Sequence, residues 1–308
     1  MNQPTNTSSY SLILNDQGGI IDDCIITKWN NNLWYLVTNA NRSQVVRRWL
    51  DEKLNKSNDS KVNINYLNDT FSLLALQGPK ASEVLSRLSK TSLNELYFGS
   101  CYQNLQLANN INVHLARSGY TGEDGFEISV ENRDAVTLAN MLTDENTSTM
   151  PIGLGARDSL RIEAGMCLYG NDLWESPDLT VGETGLGWTI AKDRRTNESL
   201  KFPGWDNVIP SLKYANMNKR RVGILVEKGP AARSGAEILN DEDQVIGFIT
   251  SGCPSPTLNN QNVSIGYINK TYTKMDHDPS LKVRIRGRNR KANIVKLPFV
   301  ESKYYRKT

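Results

Sequence analysis

The chain of 308 residues carries 36 Lys and Arg against 33 Asp and Glu, which gives a formal net charge of +3. This length predicts two domains and suffices for a sizeable hydrophobic core. No apolar run approaches the roughly 20 residues that a bilayer-spanning helix needs, so the sequence predicts no membrane span.

The histidines and cysteines narrow the possible chemistry. The two histidines, His114 and His277, are too few for a His-rich metal site. No two of the four cysteines are spaced as Cys-x-x-Cys, which excludes zinc ribbons and thioredoxin-type redox motifs. Such sparse cysteines are typical of a reducing compartment, where most thiols are small buried hydrophobes.

The first half of the chain alternates strand and helix patterns. A hairpin is predicted over residues 10–14 and 20–27, because turn-forming residues separate two apolar runs. A strand follows at 71–76, and a helix begins near Ala81, just after Pro79. The further predicted elements are strands at 113–116 and 126–130 and helices at 133–142 and 155–164.

The pattern changes in the last third of the chain. Residues 193–219 are polar and contain two prolines, and they are predicted to connect two regions. Short strands with intervening turns follow, which is typical of a small all-β barrel or sandwich. These strands are predicted at 222–226, 245–250, 263–268, 281–285 and 293–295. The sequence therefore predicts an α+β body over residues 1–195, a linker over 196–216 and a β domain over 217–308.

Asp22 and Asp23 lie in the middle of the second predicted strand, between apolar residues. Since successive strand residues face opposite sides, the two carboxylates point to different faces, both otherwise apolar. At least one carboxylate is therefore expected to be partly buried. A buried carboxylate requires hydrogen bonds or a cation, which is typical of functional sites. A surface aspartate at a strand end is the alternative.

Residues 117–127 combine a glycine-rich turn with Tyr120 and Glu127. Three glycines within seven residues permit tight turns and close approach of the backbone to a ligand. Tyr120 offers a ring face and a hydroxyl, and Glu127 returns on a strand whose other face is apolar. A carboxylate fixed in a pocket accepts two parallel hydrogen bonds from the amidine-like edge of a pterin or guanine. An ordinary glycine turn is the alternative.

Two arginines lie four residues apart on a predicted helix. Arg157 and Arg161 therefore share a face, which suits a carboxylate or a set of backbone carbonyls. Spacing alone favours a solvated face on which Asp158 pairs with Arg161.

The C-terminal segment is basic. Residues 281–308 hold ten Lys and Arg against one acid, so the other 280 residues carry a net charge of −6. Four arginines alternate and are predicted to share one face of a continuous strand: Arg284, Arg286, Arg288 and Arg290. Such a face suits RNA or a polyanionic tail. Because no aromatic residues interleave with the arginines, a solvated edge strand is favoured.

At these motifs the sequence resembles the glycine cleavage T-protein, or aminomethyltransferase, family. The shared segments run in family order from about residue 9 to the C-terminus, and they look like those of a eukaryotic member. They are LLALQGP at 73–79, GYTGEDG at 119–125, ARDSLRIEAG at 156–165, CLYG at 167–170, TSGCPSPTL at 250–258 and PFV at 298–300. One turn alone would be a weak signal, but the combination is specific.

The resemblance implies an enzyme that takes the aminomethyl group carried on the lipoyl arm of H-protein. The one-carbon unit passes to tetrahydrofolate, giving methylenetetrahydrofolate, ammonia and the reduced arm. Tetrahydrofolate is then a substrate and no metal is expected. The implied partners are H-protein and the other glycine cleavage proteins, without nucleic acid, in the mitochondrial matrix. The implied fold is a folate-binding α+β body of two subdomains followed by a C-terminal β barrel, and these three regions surround a central folate channel.

The resemblance also implies site residues. Asp23 matches the active-site aspartate of the family's GGIIDD motif, and Glu127 matches its pterin-binding glutamate. The other implied residues are a substrate-site arginine, Arg157, a C-terminal tyrosine, Tyr304, and two neighbours in the same pocket, Asn39 and Tyr120. A carboxylate near an iminium-like carbon stabilises developing positive charge, which agrees with the role of Asp23.

Three alternatives stay open at this point. Family members carry an upstream Asp-Val-Ser-His-Met segment that has no counterpart here, so the chain is expected to lack the family's N-terminal segment. The first alternative is therefore a truncated, inactive fragment. The second is a folate-binding relative that maintains iron–sulfur proteins or modifies RNA. The third is a basic RNA-binding module.

Overall fold

The N-terminal hairpin belongs to a three-stranded antiparallel sheet. The computed structural model describes residues 3–57, 61–273 and 281–307. In it, the first sheet has the order β1-β2-β3 and comprises β1 (Thr7–Leu14), β2 (Ile20–Lys28) and β3 (Trp34–Thr38). The predicted hairpin is confirmed, whereas β3 was not predicted.

Helix α1 (Ser43–Ser57) covers one face of this sheet. Its Val46 is buried against Ile13 and Ile21, with Trp49 and Leu50 packed beside them. The helix was not predicted, although Val46, Trp49 and Leu50 have helical spacing. The apolar face of α1 packs on one side of the sheet. The other side of the sheet, which carries Asp23, therefore faces away from α1.

A second sheet is antiparallel throughout and has the order β4-β7-β6-β5. Its strands are β4 (Phe71–Gln77), β5 (Cys101–Gln106), β6 (Asn112–Ala116) and β7 (Gly125–Glu131). Helices α2 (Ala81–Ser86) and α3 (Asn132–Leu142) contribute Val84, Leu85 and Leu138 to the core beneath it. The predicted strands and helices of this region are confirmed to within two residues, except β5, which was not predicted.

The C-terminal region is a closed six-stranded barrel with the order β10-β11-β8-β13-β12-β9, and the predicted β barrel is confirmed. Two helices precede it, α4 (Leu154–Glu163) and α5 (Trp205–Ser211). Its strands are β8 (Lys219–Val226), β9 (Glu237–Leu239), β10 (Val245–Ser255), β11 (Gln261–Asn269), β12 (Leu281–Ile285) and β13 (Arg288–Val295).

The predicted arginine face on a continuous edge strand is wrong. Arg286 and Gly287 have φ values of 50° and 77°, so the chain reverses there in a two-residue turn. Across the hairpin, Arg284 lies opposite Asn289 while Arg290 lies opposite Val283, which places these two arginines on different faces. Strand β13 also pairs with β8, so it is not an edge. The structure therefore removes the shared arginine face that was one argument for the RNA-binding alternative.

A buried ion pair joins helix α4 to the loop that follows it, and hydrogen bonds link this pair to the barrel. Arg161 is 1% exposed and Asp172 is fully buried, and their charged atoms lie 2.5 Å apart. The carboxylate of Asp172 also accepts hydrogen bonds from Thr250 and Ser251 of β10. Asp158 does pair with Arg161, but the predicted solvated face is wrong because the guanidinium is buried.

All four cysteines are free and buried, as the sequence predicted. Among residues 3–57, 61–273 and 281–307, no helix is long and apolar enough to cross a membrane. Over the same ranges, no cluster of three or more His, Cys, Asp or Glu side chains is arranged to hold a metal ion. His277 lies outside the described residues.

Replacing Asp172 with Asn should lower the free energy of unfolding by about 3–5 kcal/mol, because it leaves the buried Arg161 charge without its partner. Urea denaturation with linear extrapolation measures this change. Lys201→Gln is the control, because it breaks surface interactions: pairs with the exposed Asp206 and Glu198 and a contact with the Trp205 ring. A loss for Asp172→Asn no larger than the loss for Lys201→Gln would contradict the structural role of the pair.

Candidate active site

The two sheets face each other across a cleft. Residues from both sheets line it: Ile25, Thr27, Tyr35, Val37, Leu73, His114, Ala116 and Glu127. Because side chains alternate along a strand, Asp23 shares the face of β2 that carries Ile25 and Thr27. Glu127 lines this cleft, and Asp23 lies on the same face of β2, two residues before the lining residue Ile25.

The carboxylate of Asp23 is held by two neutral donors. The Tyr10 hydroxyl donates to Oδ2 at 2.8 Å, and the Asn39 amide donates to Oδ1 at 2.6 Å. Burial raises the pKa of Asp23, although the hydrogen bonds from Tyr10 and Asn39 oppose this shift. Asp22 is fully buried, and burial raises its pKa as well. The prediction that at least one of the two aspartates is partly buried is confirmed.

Glu127 lies in the middle of β7, with Ala75 and Ala116 opposite it on the two neighbouring strands. These small neighbours leave space around its carboxylate. The Ser118 hydroxyl donates to Oε2 at 2.7 Å. Within the described residues, no group donates to the other oxygen, which remains able to accept a hydrogen bond from a ligand.

An aromatic group forms one wall of the cleft beside Glu127. The Trp29 and Tyr35 rings stack with centroids 4.9 Å apart, and the His114 ring meets Tyr35 edge-on at 4.8 Å. The Trp29 indole donates to Nδ1 of His114 at 3.2 Å. Burial lowers the pKa of His114 to about 4, so this imidazole is neutral at physiological pH. The wall is therefore aromatic and uncharged, and the sequence did not indicate this role for His114 or Trp29.

The glycine-rich turn positions Tyr120. Its hydroxyl donates to the backbone carbonyl of Cys167, and burial raises its pKa. The Arg157 guanidinium lies over the Tyr120 ring, 4.9 Å from the centroid. Arg117 and Asp124 close the base of the turn through a partly buried ion pair of 2.5 Å. Tyr120 and Arg157 thus lie together, with Arg157 exposed to solvent.

Tyr304 lies at the rim, on the C-terminal segment. Its ring stacks on Phe98 with centroids 4.0 Å apart. The neighbouring Lys303 backbone N–H donates to the carbonyl of Gly122 at 2.8 Å, which ties the segment to the glycine-rich turn. Among the described residues, no hydrogen bond or ring contact joins Tyr304 to Asp23 or to the other sequence-predicted site residues.

Three residues near Asp23 were not singled out from the sequence. Tyr10 donates to Asp23 and stacks on Trp188 at 5.8 Å. Arg221 is held by the carbonyls of Thr184 and Gly165, and its charge partly offsets the rise in the pKa of Tyr10. Tyr10 could have been found by pairing the two strands of the predicted hairpin, whereas Trp188 and Arg221 come from distant parts of the chain.

Family models match both parts of the chain. The GCVT N-terminal domain matches residues 1–194, and the Glycine cleavage T-protein C-terminal barrel domain matches residues 219–301. The chain belongs to the glycine cleavage T-protein family. The expected α+β body followed by a β barrel is thereby confirmed, in agreement with the observed sheets and barrel.

Curated members of the family are similar over nearly the whole chain. Mitochondrial aminomethyltransferase of Saccharomyces cerevisiae is 43% identical over 314 residues, covering 98% of this chain and 76% of the yeast protein. The enzyme of the same name from Pisum sativum is 40% identical and covers 97% and 71%, respectively. That from Mus musculus is 38% identical and covers 97% and 72%.

A solved structure shows the same fold. Aminomethyltransferase T of the glycine cleavage system from Bartonella henselae superposes with a TM-score of 0.86 at 33% sequence identity. The match covers 99% of this chain and 79% of the bacterial chain. At this identity and coverage, the family's α+β body and barrel describe both proteins.

Replacing Asp23 with Asn should stabilise the protein at pH 8. A carboxyl whose folded-state pKa is raised destabilises the fold once it ionises, and this cost grows as pH rises through the folded-state pKa. The gain in the free energy of unfolding should therefore be larger at pH 8 than at about pH 4.5, near the ordinary aspartate pKa. Urea denaturation at the two pH values measures it.

Asp16→Asn is the matched control, because a hydrogen bond from Lys53 lowers the pKa of this exposed carboxyl. Its replacement should give no gain at pH 8. An Asp23→Asn protein that is less stable than the wild type at pH 8 would contradict the electrostatic description of the cleft.

Proposed function

We propose that this chain transfers a one-carbon unit from the aminomethyl-lipoyl arm of H-protein to tetrahydrofolate, releasing ammonia and forming methylenetetrahydrofolate. The observation that carries this proposal is a pair of carboxylates: Glu127 lines the cleft, and Asp23 lies on the face of β2 that turns towards it. Family membership supports it, because the similar proteins are named aminomethyltransferases. Their mitochondrial names support a location in the mitochondrial matrix, beside the other glycine cleavage proteins.

The Glu127 side of the cleft fits a pterin ring. The ring's amidine-like edge carries parallel N–H groups that match the two oxygens of a carboxylate. Ser118 donates a hydrogen bond to Oε2 of Glu127, and no described residue donates one to Oε1. The uncharged wall of Tyr35 and His114 suits the face of a fused heterocycle. We therefore assign pterin binding to Glu127.

The Asp23 side of the cleft suits the chemical step. The methylene carbon exchanges its bonds to sulfur and to the amine nitrogen for bonds to N5 and N10 of the folate. The two protons that leave N5 and N10 balance the thiol and the ammonia, so no oxidant is needed. Positive charge develops on the carbon as each leaving group departs. A preorganised carboxylate in a water-poor cleft stabilises that charge, and this is the role proposed for Asp23.

The remaining candidates are assigned by position. Asn39 holds Asp23, and we assign it to the same catalytic unit. Arg157 is exposed above Tyr120, so its guanidinium is available to a carboxylate such as that of the folate glutamyl group. Tyr304 is assigned to the rim through the contact of its segment with the glycine-rich turn. Tetrahydrofolate acts as a substrate in this scheme, and no step requires a metal.

Replacing Glu127 with Gln should raise the KM for tetrahydrofolate about tenfold or more, since a hydrogen bond to a charged group contributes roughly 1.5–3 kcal/mol. The assay is ammonia release from aminomethylated, lipoylated H-protein at varied tetrahydrofolate. Because Glu127 binds the ring without contacting the reacting carbon, kcat should change much less than KM.

Glu131→Gln is the matched control, because this glutamate lies on the same strand, is half-exposed and pairs with Arg133. It should leave KM unchanged. Equal effects of the two substitutions on KM would remove the pterin assignment. Absence of ammonia release by the wild-type chain, with active H-protein present, would instead favour the inactive-fragment alternative.

A further inference from the structure

Asn39 links the two neighbouring aspartates of β2. Its backbone N–H donates to Oδ2 of Asp22 at 3.0 Å, and its side-chain nitrogen donates to Oδ1 of Asp22 at 2.7 Å. The same nitrogen donates to Oδ1 of Asp23 at 2.6 Å. A primary amide has two N–H groups, and here both meet carboxylate oxygens.

This arrangement fixes which way the amide points. Rotating the Asn39 amide by half a turn would place its oxygen against both ionised carboxylates, where no hydrogen is available. Asp22 is fully buried and accepts hydrogen bonds from both the main chain and the side chain of Asn39. Asp23, by contrast, faces the cleft and accepts only one of the amide hydrogens.

We propose that Asp22 is a positioning residue that holds the Asn39 amide in the orientation that donates to Asp23. Asp22 itself contacts no reacting atom. It acts through Asn39 on the orientation and ionisation of the Asp23 carboxylate. The catalytic consequence rests on the function proposed above, whereas the effect on the ionisation of Asp23 does not.

The chemistry of the Asp22 side chain explains why a carboxylate is required. A carboxylate presents two acceptors, one to the Asn39 backbone N–H and one to its side chain. An amide at the same position presents one acceptor and one donor. In Asp22→Asn, an N–H group of the new amide therefore faces an N–H group of Asn39, and no hydrogen bond forms between them. Rotation of the Asn39 amide restores a hydrogen bond. Rotation turns its oxygen towards Asp23.

Few charged groups compete with this effect. Several titratable groups from different elements interact electrostatically with Asp23. They are Tyr10, Asp22, Cys24, Tyr120 and Cys167. Burial raises the pKa of Cys24 and of Cys167 to about 12, and it raises those of Tyr10 and Tyr120 as well. Arg221, on β8, stays charged because its pKa is raised. In this set, the two aspartates are the groups whose ordinary pKa values lie in the acidic range.

The first test needs no substrate. Infrared titration of the carboxylate band, with Asp23→Asn to assign the signal, gives the pKa of Asp23 in the intact chain. Asp22→Asn should raise this pKa by about one unit, a tenfold change in the protonation equilibrium, because a donor is replaced by an acceptor. If Asp22 acted only through its charge, its removal would lower the pKa of Asp23. A fall or no change would therefore overturn the proposal.

Asn39→Ala gives a second, independent test of the same quantity, and it covers the case in which Asp22→Asn fails to fold. Loss of the amide removes the donor directly, so the pKa of Asp23 should rise here too. An unchanged pKa in Asn39→Ala overturns the proposal whatever Asp22→Asn does.

The second test is a double-mutant cycle in the ammonia-release assay. Asp22→Asn and Asn39→Ala should each lower kcat roughly 10- to 100-fold, with the KM for tetrahydrofolate nearly unchanged. Their combination should lower kcat no further than Asn39→Ala alone, because Asp22 acts through Asn39. If the double variant lowered kcat by the product of the two single effects, the proposal would be overturned.

Glu163→Gln is the matched control for loss of a buried carboxylate. Its oxygens accept hydrogen bonds from Ser255 and Thr257 in the barrel region, away from the cleft. It should leave both kcat and the pKa of Asp23 unchanged, and a shift in that pKa as large as the one caused by Asp22→Asn would overturn the proposal. If the wild-type chain released no ammonia, the proposed function would fail while the infrared titration still decided the role of Asp22.

Discussion

A carboxylate held out of water by neutral donors is the constraint on which the candidate site depends. Asp23 accepts a hydrogen bond from the Tyr10 hydroxyl and one from the Asn39 amide, and no cation in the described part of the chain pairs with it. Burial without a counter-charge costs free energy, so the surroundings must be rigid enough to maintain it. That cost is useful in catalysis, because the same carboxylate is ready to stabilise a cationic carbon.

The rigidity comes from the packing of three units around the cleft. Each sheet buries one face against its own helices and leaves the other face to the cleft. Helix α4 is tied to the barrel by Arg161 and Asp172, and the adjoining loop is tied to the glycine-rich turn by Tyr120. The barrel also supplies Arg221 to the surroundings of Tyr10. The site is therefore shared among segments that are far apart in the chain.

Local patterns in the sequence predicted much of this arrangement. Alternation along β7 correctly placed Glu127 opposite the apolar face of Phe126, Ile128 and Val130. Alternation along β2 correctly implied a buried aspartate. The same reasoning failed at Arg286 and Gly287, because a turn with positive φ at both residues interrupts the alternation.

Long-range register is what the sequence did not reveal. The contacts of Asn39 with Asp22 and Asp23 depend on the pairing of β3 with β2, and β3 itself was not predicted. Tyr10 and Trp188, which stack on each other, lie near opposite ends of the α+β body in the sequence. No local sequence pattern indicates this contact. The assignment of Asp23 and Glu127 to one site came from the family resemblance, and it stays a prediction; the structure places Glu127 in the lining of the cleft and Asp23 on the same face of β2 as the lining residue Ile25.

The most direct test of this account is a crystal structure of the chain with bound tetrahydrofolate. We expect the amidine-like edge of the pterin to meet Glu127, with the ring against Tyr35 and with N5 directed towards Asp23. A folate bound outside the inter-sheet cleft, or bound inside it with N5 directed away from Asp23, would contradict the account.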